Sequence, residues 1–172
     1  MKDTDFQRMI DTATSFFLAA ERCAPELKFG PYGPHSPAAP RIVCYALSVE
    51  LALKLLLRID GIDPKREHDL KGLFEKLPDT RRATLVAVDE CVDEISEYFH
   101  HWRYPYEKEW LEGNFDNPRR AFIACHKEIR RAKPELVSCF ERDWGRFEPD
   151  YSWAWPELEI RQAEASLIKA EP

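Results

Sequence analysis

Residues 41–58, RIVCYALSVELALKLLLR, constrain the fold of this chain more than any other stretch. They contain neither Gly nor Pro, and Ile42, Tyr45, Val49, Ala52, Leu53, Leu56 and Ile59 recur at three and four residues, the helical period. Leu47, Leu51, Leu55 and Leu57 fill much of the opposite side. A helix that is apolar nearly all round must be covered by neighbours on several sides, so the segment predicts the central helix of a bundle. Within it, Glu50 and Lys54 stand one turn apart with the acid first, the favourable order for an ion pair.

The remaining segments supply the neighbours. Asp3 or Thr4 can cap a first helix with Phe6, Met9, Ile10, Ala13, Phe16, Phe17 and Ala20 at helical spacing, ending near Cys23 because Pro25 follows. Residues 25–40, PELKFGPYGPHSPAAP, read as an extended Pro-rich connector. Gly61 then stands where a left-handed residue ends the central helix. A short helix is expected from His68 or Asp69 to Leu77, and a longer one over residues 81–101 with Leu85, Val88, Val92, Ile95 and Phe99 inward. Another opens at Pro118 with Asn117 as its cap, carries Phe122, Ile123, Cys125, Ile129 and Ala132 on its core face, and is kinked or restarted by Pro134.

No run of β-branched residues and no hairpin dipeptide is present. The expected fold is therefore all-α: an up-and-down helical bundle of four to five helices with a C-terminal appendage. Its 172 residues suit one bundle over 1–145 and an acidic, aromatic tail over 146–172 that includes Tyr151, Trp153 and Trp155.

Composition excludes some classes. The net charge of −6 argues against a protein that coats nucleic acid non-specifically, although Arg119, Arg120, Lys127, Arg130, Arg131 and Lys133 form a local basic run. Cys23, Cys44, Cys91, Cys125 and Cys139 are scattered without a CxxC pair, which favours reduced thiols in a cytoplasmic protein over a disulfide framework or zinc site. The N-terminus lacks the pattern of a signal peptide, and the longest apolar region is too short and too charged to span a bilayer. No spacing of Cys or carboxylates completes a metal site with His100, His101 or His126, so neither metal nor cofactor is expected.

Four pieces in order carry a resemblance: SVELALKLLL (residues 48–57), Gly61, HDLKGLFEKLP (68–78), and a long helix running into WRYPYE (102–107). As a set they resemble the HEPN domain over roughly residues 5–140, in a bacterial branch marked by HDL and WRYxYE. The resemblance implies an all-α bundle that often dimerises. Many HEPN domains are metal-independent RNases of toxin–antitoxin, abortive-infection and CRISPR systems, and others accompany nucleotidyltransferases or bind nucleotides. The active branches carry an Arg, four to six residues, then a His, with a polar residue usually after the Arg. There the ribose 2′-hydroxyl attacks the adjacent phosphate, His serves as general base or acid, and Arg stabilises the phosphoryl charge.

This chain departs from that pattern. No His follows Arg103 within reach, whereas His100 and His101 precede it. Arg120 and His126 fit the spacing, but Ala121 replaces the usual polar residue, and six helical steps turn the two side chains about 120° apart. Arg120, His126 and Arg103 are thus the candidate catalytic residues, set against charge on a solvated helix face. Glu50 and Lys54 are candidates for a ligand pocket with His100, His101, Tyr104, Tyr106 and Glu107; Tyr104, Tyr106 and Arg103 could stack on a base and hold a phosphate. The structural alternative is an ion-pair clip across the bundle, with Arg103 satisfying Glu50 and the WRYPYE aromatics sealing the core. His68 is expected to cap or pack at its helix start.

Three functions follow from the resemblance. The first is a helical module that forms a homodimer or binds a partner such as a cognate antitoxin. The second is a metal-independent endoribonuclease acting on RNA. The third is a nucleotide-binding accessory to a nucleotidyltransferase.

Overall fold

The computed structural model describes residues 3–23, 28–30, 33–35, 38–64, 66–101, 114 and 116–136, with side chains placed in 5–23, 40–64, 66–97, 114 and 116–136. All of them fall in the compact unit Met1–Ser138. The order is α1 (Asp3–Arg22), β1 (Lys28–Gly30), β2 (Gly33–His35), α2 (Ala38–Ile59), α3 (Leu70–Glu75), α4 (Asp79–Arg82), α5 (Val86–Asp89), α6 (Val92–His101) and α7 (Asp116–Ala132). The fold is all-α. Among the described residues its one β feature is a three-residue antiparallel ladder inside the Pro-rich connector, pairing Phe29 with Pro34 between Lys28–His35 and Gly30–Gly33. That ladder was not expected, because no hairpin dipeptide marks it; a glycine instead stands at the inner end of each strand.

α2 is the central helix. It packs against α1, α3, α6 and α7, which is why it has no polar face. Ile42, Tyr45, Val49, Ala52, Leu53, Leu55, Leu56 and Leu57 are all fully buried. Each of the Val, Leu and Ile side chains among them contributes roughly 1.5–3 kcal/mol of burial. α1 contributes Ile10, Ala13, Phe17 and Ala20 to the core, and α7 contributes Ala121, Phe122, Cys125 and Ile129. Phe17 stacks on Phe122 with ring centroids 4.5 Å apart and tilts against Tyr45 at 5.8 Å, joining α1, α7 and α2. Among the described residues no helix is long and apolar enough to cross a membrane.

The end of α2 follows the expected chemistry. Gly61 has φ +76°, and the Ile62 N–H reaches back to the Leu57 carbonyl at 2.8 Å, while the Gly61 N–H bonds that of Arg58. This closure satisfies carbonyls that the helix end would leave open.

The helix expected over 81–101 is instead three pieces, α4, α5 and α6. Leu85 leaves the helical region at φ −107°, ψ 41°, and Thr84 Oγ1 bonds back to the Arg81 carbonyl at 2.7 Å. Such a back-bond competes with helix propagation. The break lets Leu85 and Val88 both enter the core, with α5 against α7. α7 also begins one residue before the expected cap. Asn117 does not cap it; its side-chain amide donates to Glu94 Oε2 on α6. Before Pro134 the helix ends at Ala132, and Leu136 turns back into the core.

Candidate functional site

Two places on the bundle gather the predicted residues. The first forms where α2 meets the start of α3. Lys54 Nζ donates to Glu50 Oε1 at 2.7 Å, and His68 Nδ1 lies 2.9 Å from the same oxygen. Glu50 is only 4% exposed, so its charge depends on these two partners. Glu50 Oε2 is buried and makes no hydrogen bond among the described residues.

The chain on both sides of His68 is anchored. The Glu67 carboxylate accepts from the His68 N–H at 3.1 Å, the Asp69 N–H at 3.2 Å and Lys76 Nζ at 3.0 Å. Lys76 foremost, then those backbone bonds, hold its carboxyl down at about 2. Asp69 caps α3 by accepting from the Gly72 N–H at 2.8 Å, and its other oxygen accepts from Ser96 Oγ on α6 at 2.5 Å. His68 itself is largely exposed, so a fixed imidazole is offered to solvent over a buried carboxylate. Such a pair can clamp α3 to α2. His68 is expected to cap or pack at the start of α3; Asp69 makes the cap, and His68 packs with its ring nitrogen on the Glu50 carboxylate. Arg103, expected beside Glu50, lies outside the described residues, as do Tyr104, Tyr106 and Glu107. His100 and His101 end α6, and their side chains also lie outside the described set.

The second place is α7. Arg120 is well exposed and lies 3.6 Å from Glu90 Oε2. His126 is 2% exposed and sits 6.0 Å from the Phe122 ring. Burial, with the nearby Arg130 charge adding, pushes its imidazole down to about 3. The two residues do not converge in the chain. Arg120 shows the solvated charge of an amphipathic helix; His126, contrary to that expectation, belongs to the core. The basic run is also largely answered by acids: Arg119 meets Glu21 at 3.2 Å, Arg131 meets Glu128 at 2.8 Å, and Lys133 meets Glu135 at 3.3 Å.

Two polar clusters escape sequence reading because their members are distant in the chain. Arg81 forks onto Asp60, with Nε at 3.0 Å and Nη2 at 2.5 Å, while Nη1 reaches Glu128 at 2.5 Å. These bonds outweigh burial and raise the Arg81 guanidinium above its ordinary range. Burial pushes Glu128 up, but Arg131 and Arg81 together hold its carboxyl below the usual value. A cleft of about 220 Å³ opens here, lined by Asp60, Pro78, Thr80, Arg81, Glu128 and Arg131. At the other cluster, buried Glu21 accepts from Tyr45 Oη at 2.5 Å and Arg119 Nε at 3.2 Å, with the Arg41 guanidinium 5.6 Å from the Tyr45 ring centre. Burial raises Glu21 despite these partners, and burial followed by Glu21 raises Tyr45. Glu21 thereby ties α1, α2 and α7 together.

An all-α bundle around one buried helix, with a His-Asp-Leu cap over a buried Glu–Lys pair, defines a helical module. A model of the HEPN domain matches residues 42–136, more than half of the chain, and the chain belongs to the HEPN domain family. No curated protein and no solved structure matches it at a significant level.

Proposed function

We propose that this chain is a HEPN module that works by self-association or by binding a partner protein, in a bacterial defence or toxin–antitoxin setting. In this reading α7 is structural, and Arg120 with His126 is not a nuclease pair. The observation that carries the reading is the burial of His126. A general base must reach the hydroxyl it deprotonates, and it works best with a pKa near the operating pH. His126 has neither property: it lies in the core, and its imidazole is held far below neutrality.

The association half of the reading rests on family membership, since HEPN domains often dimerise. Sedimentation equilibrium of the full chain tests it. The expected mass is that of a homodimer. A monomer at every concentration that turns over RNA would overturn the proposal.

A further inference from the structure

Cys23 closes α1, and Cys44 lies in the first half of α2. Two contacts fix the antiparallel register of these helices. Tyr45 Oη donates to Glu21 at 2.5 Å, and Arg58 Nη1 lies 3.6 Å from the Met9 sulfur. The same register brings Cys23 level with Cys44. Both are free thiols with intermediate burial. Burial, and after it the neighbouring Cys23, pushes the Cys44 thiol up. Cys91 and Cys125 are different: burial raises Cys91 to about 11 and Cys125 further still, so both are inert in the core.

We propose that Cys23 and Cys44 are a redox-gated staple, forming an intramolecular disulfide between α1 and α2 when the protein meets a peroxide. The peroxide oxidises the Cys23 thiol to a sulfenic acid, releasing one water. The Cys44 sulfur then attacks the Cys23 sulfur, and the sulfenic oxygen leaves as a second water with the thiol proton. The two thiols are oxidised and the peroxide is reduced.

The bond closes a loop over residues 24–43, the whole Pro-rich connector. It also sits beside the Glu21–Tyr45–Arg119 junction, since Cys44 adjoins Tyr45 and Cys23 lies two residues past Glu21. Oxidation therefore links the helices at the two ends of the connector and fixes the α1–α2 spacing on which α7 docks.

Peptide mapping of the reduced full chain after hydrogen peroxide treatment and alkylation tests this. Trypsin cuts after Arg22, Lys28, Arg41 and Lys54. The expected product joins peptide 23–28 to peptide 42–54, lighter than their sum by two hydrogens, and it separates on reduction with dithiothreitol. Cys44→Ser should leave peptide 23–28 unlinked. Recovery of both wild-type peptides as separate species after oxidation, or a link from either to another cysteine, would overturn the proposal. The wild-type map decides even if the variant fails to fold.

Discussion

Glu50 and His68, eighteen residues apart, meet at 2.9 Å, and this contact joins the central helix to the loop that starts α3. Glu50 is buried, so removing it strands Lys54 in a site that is only 13% exposed. Glu50→Ala should cost about 3 kcal/mol, the scale of breaking a buried ion pair. His68→Ala, which loses one largely exposed partner, should cost about 1 kcal/mol or less. Urea unfolding of the two variants measures both. Equal losses would show that the Lys54 pair is not the dominant partner.

His126 gives the fold a pH dependence of known sign. Its imidazole is near 3 in the folded chain against an ordinary 6.5, so below 6.5 the unfolded state binds a proton that the folded state refuses. Stability should therefore fall as pH drops from 6.5 toward 3, by up to about 1.4 kcal/mol per pH unit. Above pH 5 the carboxylates held low, Glu67 and Glu128, add little to the slope, while Glu21, held high by burial, adds one of opposite sign that His126→Phe leaves in place. His126→Phe should flatten the curve between pH 6.5 and 5 in chemical denaturation. An unchanged slope would mean that another group supplies it.

Arg81 bridges Asp60 and Glu128 through three donors. Arg81→Ala takes the guanidinium from two largely buried carboxylates, with Arg131 still on Glu128, and should cost about 3 kcal/mol. Arg81→Lys should recover less than half of that, because an ammonium cannot form the fork. Thermal melts of both variants check the order; recovery to wild type by Lys would refute the fork as the source.

Gly61 occupies positive φ with open space where a Cβ would stand. Gly61→Ala should destabilise by about 1 kcal/mol through backbone conformation alone. Gly61→Asn should cost less, because Asn tolerates the left-handed region. A neutral Gly61→Ala in urea unfolding would show that the helix end adjusts.

The legible parts of this fold were those written in periodicity and punctuation. The all-round apolar pattern of 41–58 marked the central helix, and Gly61 marked its end, because both signals are local. The segment 81–101 misled, since its apolar stripe continues through Leu85 and Val88 while tertiary packing breaks the helix to aim them inward. Glu50 with Lys54 was legible as one turn of helix, but His68 as their third partner depends on how the 62–69 loop returns. Asp60–Arg81–Glu128 and Glu21–Tyr45–Arg119 have no sequence signal at all, because partners 21 to 98 residues apart share no spacing. His126 is the instructive residue: its spacing from Arg120 suits a nuclease, Ala121 and the turn of about 120° between the two side chains already weigh against the pair, and its burial in the core could not be read from spacing.

Incubation of single-stranded RNA with the full chain in EDTA tests the central claim most directly. A binding module with a structural α7 leaves the RNA intact at every protein concentration. Cleavage that disappears in both Arg120→Ala and His126→Ala, with each variant still folded by circular dichroism, would contradict it.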